Sequence, residues 1–335
     1  MIKILTSGIF RIALVAVAIL IVALSTIYIV SQVNERRDEA LLTAVGAAAD
    51  EVSCRVEGYS QTIEVMANMP IFRDGNRKTI AAFMASYEPR LRNHFEYLFF
   101  IDKDGNSVTE GGEGDRLFGR AYYKTLVLDR TKEEIITDPF FLPNMRSKIV
   151  FAIARSVKDN NDEVVGVLFA VINIDKLEII TRNEREEVYD MLVDGRGRFI
   201  KHRNPAMQLV ATLQSSPNFG IYGLAQESNK ILETGQGFAY YTNALLEKRV
   251  LLFAPVESTP GWVYLVSIPK SLHDRSAMLH IVASGVLCLI LVCVLVLSSF
   301  LKQAKTQDET VRDSDSTYDA DLFIDEEEKS AESRK

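Results

Sequence analysis

The run Arg120-Ala121-Tyr122-Tyr123 is the part of this 335-residue chain best equipped for chemistry. A guanidinium presents a planar fork of donors that grips a carboxylate at two points, and tyrosines beside it add hydroxyl donors and an aromatic wall. The alternative for Arg120 is an internal ion pair, with Asp115 or Asp138 as partner. A second cluster, Asp102, Asp104, Asn106 and Glu113, occupies positions one, three, five and twelve of a calcium-loop window. Position six of such a loop needs glycine and is Ser107 here, so a hairpin turn is the expected structure. The four histidines, His94, His202, His273 and His280, form no His-x-x-x-His pair. Nor does the chain contain Cys-x-x-Cys, Gly-x-Ser-x-Gly or a phosphate-binding glycine loop. These residues describe a binding protein that is not an enzyme and takes no cofactor or metal.

Two uncharged apolar runs frame the chain, Ile12 to Val30 and Ile281 to Leu301. At ~1.5 Å per helical residue each reaches across a hydrocarbon core of ~30 Å. Transmembrane helices are expected over 12–30 and 278–301. Lys3 and Arg11 could begin a signal peptide, but Ser31-Gln32-Val33-Asn34 offers no small-x-small cleavage site, which favours an uncleaved anchor. Lys and Arg near the spans are balanced, so orientation follows from the only segment large enough to fold, 32–277, placed outside. Residues 1–11 and 302–335 are then cytoplasmic. The net charge of −7 belongs to the end of the chain, since residues 306–335 hold eleven Asp/Glu against four Lys/Arg. Such an acidic tail cannot bury a core and reads as a solvated segment or a docking peptide. No basic surface suggests nucleic acid. Cys288 and Cys293 fall in the second span, which leaves Cys54 alone outside, either as a free thiol or bridged to the Cys54 of a second copy.

From Ser31 to Met69 the apolar residues Leu41, Leu42, Val45, Ala48, Ala49, Val52 and Val56 keep helical spacing without a proline. A helix that long beyond the bilayer predicts a stalk and a homodimer surface. A second helix is expected over Thr79 to Leu91. Short apolar runs then alternate with turn residues, predicting strands at Tyr97–Asp102, Ile149–Val157, Val164–Ile174, Val188–Asp194, Phe238–Thr242, Arg249–Pro255 and Gly261–Ile268. A helix-like piece is expected over Gly119–Leu128. Asp102 to Asp194 is 92 residues and Gly166 to Gly261 is 95, the near-constant offset of a duplicated α+β module.

Arg120-Ala121-Tyr122-Tyr123, Thr137-Asp138-Pro139-Phe140, Val157-Lys158-Asp159-Asn160, the strand Gly166 to Asn173 with Ile174-Asp175-Lys176-Leu177, Val193 to His202 and the closing Gly261-Trp262 to Lys270 resemble the double Cache sensor domain. The resemblance covers most of 32–277. It implies an α+β fold, a long N-terminal helix carrying two PAS-like antiparallel-sheet modules, flanked by two transmembrane helices in a prokaryotic cytoplasmic membrane. The helical region would be 31–92, the membrane-distal module 93–186 and the membrane-proximal module 187–277. A small molecule would bind in the distal module. The 34 residues after Leu301 hold no kinase or cyclase motif, so output is expected through a separate membrane or cytoplasmic partner.

In family members that bind amino acids, an Arg-x-Trp-Tyr element holds the ligand carboxylate, and Arg120, Tyr122 and Tyr123 match it in part. The family's amine-binding acids follow the Asp-Pro turn and lie in the module's last strand. The matching positions, after Asp138, are Phe140, Leu142 and Val171. An ammonium group would be buried there without an anion, at a cost of several kcal/mol. The resemblance thus implies a small carboxylate ligand lacking a charged amine, and makes His202 structural. The competing function is that of a structural or assembly adaptor with a closed pocket.

Overall fold

The computed structural model describes residues 8–143, 145–178, 187–275, 277–294 and 296–298. The acidic segment 302–335 and the junction 179–186 lie outside the described residues.

No proline precedes Pro70, and one helix, α1, runs over Gly8–Ala67. The chain divides into two units, one holding the residues up to Arg36 and from Asp274 onward, the other Arg37–His273. In the first, the apolar start of α1 and the helix Ala277–Ser298 are long and apolar enough to cross a membrane. Leu14, Leu20, Leu24 and Ile27 are more than half exposed. The hydroxyls of Ser25 and Thr26 donate to the Val22 carbonyl at 2.9 and 2.7 Å, and Ser284 donates to Ile281 at 2.9 Å, so these polar groups are satisfied inside their own helices.

The second unit continues with α2 (Pro70–Arg73) and α3 (Arg77–His94), the latter capped by Asn76 Oδ1, which accepts the Lys78 N–H at 3.1 Å. Then come β1 (Tyr97–Asp102), β2 (Asn106–Thr109), β3 (Gly112–Arg116), α4 (Ala121–Tyr123) running into a π-helical turn (Lys124–Leu128), β4 (Glu134–Ile136), β5 (Phe140–Leu142), β6 (Met145–Lys158) and β7 (Val164–Asn173). These strands form an antiparallel sheet in the order β3-β2-β1-β7-β6-β4, with β5 also on β6. The second sheet is built from β8 (Tyr189–Val193), β9 (Phe199–Lys201), β10 (Gly237–Thr242), β11 (Lys248–Val256) and β12 (Trp262–Pro269), with α5 (Leu224–Glu233) before β10 and α6 (Lys270–His273) after β12. Its order is β10-β11-β12-β8-β9. This is the α+β architecture of two antiparallel modules on a long helix.

The expected stripe on α1 exists, but it faces inward. Val45, Ala49, Val52, Val56, Ile63 and Met66 are buried in one core with Leu98, Phe100, Phe151 and Leu168 of the first sheet and Leu192, Leu252 and Tyr264 of the second. Polar contacts follow the same division. Ser258 N–H donates to Ser53 Oγ at 3.0 Å, while Ser60 Oγ donates to Glu134 Oε2 at 2.6 Å and Arg155 pairs with Glu64 at 2.8 Å. Most of the stripe is therefore covered by the chain's own sheets, with Leu41, Leu42 and Ala48 half-buried, and Cys54 lies on the exposed face of the helix. At the joint between the sheets the only tryptophan of the chain, Trp262, meets Phe151 edge-on at 5.3 Å.

Four hairpin turns among the described residues share one local design. At the first residue a side-chain oxygen accepts the N–H groups two and four positions later. Asp102 takes those of Asp104 and Asn106 (2.9 and 2.8 Å), Asp159 those of Asn161 and Glu163 (2.7 and 2.9 Å). Asp194 takes those of Arg196 and Arg198 (3.0 and 2.8 Å), Asn243 those of Leu245 and Glu247 (3.0 and 2.9 Å). The fourth residue is left-handed each time: Gly105 and Gly197, but also Asp162 and Leu246. Asp102 thus acts as a turn cap, its second oxygen 3.2 Å from Arg77. A left-handed leucine costs ~1–2 kcal/mol, which glycine avoids in return for ~0.5–1 kcal/mol of chain entropy. Leu246 is 77% exposed and has little packing to lose. Leu246→Gly should stabilise the full chain by ~0.5–1 kcal/mol, read as a higher Tm. A lower Tm would mean that the leucine side chain makes a contact outweighing its backbone strain.

Candidate functional site

Each strand of the first sheet alternates its side chains between two faces. Leu98, Phe100, Phe151, Ile153 and Leu168 join the core with α1, whereas Ile101, Val150, Ala152, Phe169 and Val171 form a second cluster on the opposite face. That cluster is covered by α4, the π-helical turn and β5 through Tyr123, Leu126, Val127 and Leu142.

Four aromatic rings run along this face. Tyr97 stacks near Phe99 at 6.1 Å, Phe99 on Phe169 at 5.6 Å, and Tyr122 tilts over Phe169 at 4.5 Å. Tyr97, Phe99 and Tyr122 are half-buried, so the row is open along one side. Arg120, exposed at the residue that precedes α4, stands at its rim, and among the described residues no carboxylate is within ion-pair distance of it. Burial pushes the Tyr122 phenol up, and the positive charge of Arg120 works against that shift. Arg120 and Tyr122 share one electrostatic neighbourhood.

The neighbouring candidates fall in different places. Tyr123 is fully buried, and its hydroxyl donates to the Lys103 carbonyl at 2.5 Å, fastening α4 to the β1–β2 turn. Asp138 lies 3.7 Å from Arg196, and the carbonyl of Pro139 accepts from Arg198 Nη2 at 3.3 Å. The Asp-Pro turn thus ties the first sheet to the β8–β9 turn of the second. Phe140, Leu142 and Val171 all join the apolar cluster. Glu96, whose N–H donates to the Val171 carbonyl, has its carboxylate held by Lys148 at 2.8 Å and Asn173 at 3.3 Å. Burial pushes its pKa up, but those hydrogen bonds prevail and keep it below the ordinary carboxylate value. The sequence reading missed Tyr97, Phe99 and Phe169, although aromatics two apart on β1 signal one shared face.

A model of the Cache domain matches residues 28–274. The chain belongs to the Cache domain family. As a Cache protein it is a ligand-binding sensor and not an enzyme. No curated protein sequence is similar enough to this Cache protein to count as a match. Among solved structures, the ligand-binding domain of the Pseudomonas aeruginosa PAO1 amino acid chemoreceptor PctB, in complex with L-Arg, is 19% identical with a TM-score of 0.54, covering 71% of this chain and 97% of that one. That of the Pseudomonas fluorescens chemoreceptor CtaA, in complex with L-serine, is 18% identical with a TM-score of 0.55, covering 71% and 99%. The domain of Pseudomonas aeruginosa PctC, in complex with GABA, is 18% identical with a TM-score of 0.51, covering 69% and 99%. At these identities the likeness is one of fold.

In the second module of this Cache protein His202 follows β9 and is buried beside the rings of Phe199 and Tyr189. Its Nδ1 accepts the Asn204 N–H at 2.9 Å and lies 3.3 Å from the Asn204 carbonyl oxygen, to which a protonated ring donates. Burial lowers its pKa, against a smaller opposing effect of the Asn204 carbonyl, which favours the protonated ring. The unfolded chain therefore binds a proton near pH 6.5 that the folded chain refuses, and stability is lost as pH falls through that value. The full chain should unfold at progressively lower temperature from pH 7.5 to 5.5, and His202→Gln should flatten that slope. An unchanged slope in the variant would assign the acid sensitivity to other groups.

Proposed function

We propose that this Cache protein is a two-pass sensor of the prokaryotic cytoplasmic membrane. Residues 32–277 lie outside, and the first module recognises a small carboxylate without a charged amine. Ligand binding alters how the two spans are held and is passed to a separate membrane or cytoplasmic protein. The observation that carries the ligand reading is Arg120, without an ion pair among the described residues, at the rim of an aromatic row over an apolar cluster, where the nearby Glu96 is already held by Lys148 and Asn173. PctB, CtaA and PctC were solved with L-Arg, L-serine and GABA, each of which carries an ammonium group. In this chain Phe140, Leu142 and Val171 leave such a group no anion, whereas a carboxylate on Arg120 with an apolar tail along Tyr122 and Phe169 is matched at both ends.

Propionate, butyrate and succinate, each beside its amino analogue, test this on the full chain in detergent. Ligand at ~100 times its Kd stabilises by ~2.7 kcal/mol, a shift that thermal unfolding resolves. Carboxylates should raise the Tm and amino acids should not, with the effect lost in Arg120→Ala. Stabilisation by amino acids, or by carboxylates despite Arg120→Ala, would overturn the reading, and no stabilisation by any of them would favour a rigid adaptor.

Topology has its own test. Protease added to intact spheroplasts should digest the central domain and leave a C-terminal tag intact. Loss of the tag would reverse the orientation.

A further inference from the structure

The outer face of the second sheet holds a cavity of about 720 Å3. Its wall includes Arg249, which is only 4% exposed. Arg249 Nε donates to Ser267 Oγ at 2.7 Å, and Nη2 donates to the carbonyls of Glu187 and Ser267. Nη1 makes no hydrogen bond among the described residues. Its nearest acid, Glu247, is 3.6 Å away, more than half exposed, and already accepts from Asn243 Nδ2 at 2.8 Å. Tyr189 lies under the guanidinium at 4.9 Å and is linked to it by hydroxyls alone, through Tyr241 at 2.7 Å and Ser267 at 2.5 Å. The buried cation is thus hydrogen-bonded to neutral dipoles and paired only loosely, at 3.6 Å, with one exposed carboxylate. Its charge is partly offset, and Nη1 keeps donors for a better-placed anion. Glu187 and Arg203 also line the cavity. The same wall contributes His202, nine-tenths buried, whose Nε2 has no hydrogen-bond partner among the described residues. Met207, Phe219 and Ile221 supply apolar lining.

We propose that this cavity is a second ligand site, distinct from that of the first module, which takes a small carboxylate with an apolar body and seats the carboxylate on Arg249 Nη1. A guanidinium with an unused pair of donors meets a carboxylate at two points, while the ring or alkyl part lies against Tyr189 and Phe219.

The test uses 4-fluorophenylacetate and its neutral analogue 4-fluorophenylacetamide, followed by 19F line broadening on the full chain in detergent. Arg249→Gln removes the charge. Because that residue also ties β11 to β12, a second variant, Ala244→Glu, places a competing carboxylate at the exposed cavity wall without touching the buried network. The acid should bind the wild type and Arg120→Ala alike, at least tenfold more weakly to Arg249→Gln and Ala244→Glu, and the amide should not bind. Equal binding of acid and amide, undiminished binding to Ala244→Glu, or no binding to the wild type would overturn the proposal. Binding lost only in Arg120→Ala would also overturn it, by placing the probe in the first module, and would leave the reading of that module standing.

Discussion

An amphipathic helix has one apolar face, and a sheet must cover one of its own faces to be stable. In this chain both requirements are met by a single surface. The stripe Val45, Ala49, Val52, Val56, Ile63 and Met66 serves both sheets in succession, so helix, first sheet and second sheet share one core. Trp262 against Phe151 closes that core where the sheets meet. Neither module has a separate interior on this side, and α1 meets the second sheet before the first, the reverse of their order along the chain.

That shared core leaves the other face of each sheet open to different use. On the first, the cover is short: α4, a π-helical turn and the three-residue β5. Such pieces bury Tyr123 and Leu142 yet leave Tyr122 half-exposed beside Arg120. On the second, the polar chain from Arg249 to Tyr189 is built into the strands themselves. The first face presents its cation at a rim, the second in a wall.

The sequence was most readable where periodicity and turn chemistry agree. β1 falls on the expected Tyr97–Asp102, and the other expected strands differ from those observed by a few residues at their ends. The strands β2, β3, β4, β5 and β9 went unseen because they are three to five residues long, and runs such as Gly112–Arg116 have no apolar alternation to detect. The stripe on α1 was visible, but a stripe does not name its partner, and spacing alone does not reveal that two sheets of the same chain cover most of it. The site shows a similar limit. Adjacent residues on a helix point ~100° apart, so Tyr122 and Tyr123 could not both face Arg120, and residue type alone does not tell which of them turns inward. Asp138 approaches Arg196, 58 positions later in the chain, a neighbour that sequence spacing does not reveal.

The four alike hairpin turns also bear on how such a chain arises. Each turn is complete within five residues: the cap, the bonds it accepts and the left-handed position are all local. A stretch of gene encoding one module can therefore be duplicated and the copy's hairpins close at once, without reference to what the new module will pack against. Divergence is then free to act on the faces. Gly105 and Gly197, at the matching β1–β2 and β8–β9 corners, keep the residue the turn prefers, while Asp162 and Leu246, at the β6–β7 and β10–β11 corners, show that the same turn forms with other residues when its cap is present. The module is heritable as a unit because its corners are self-sufficient.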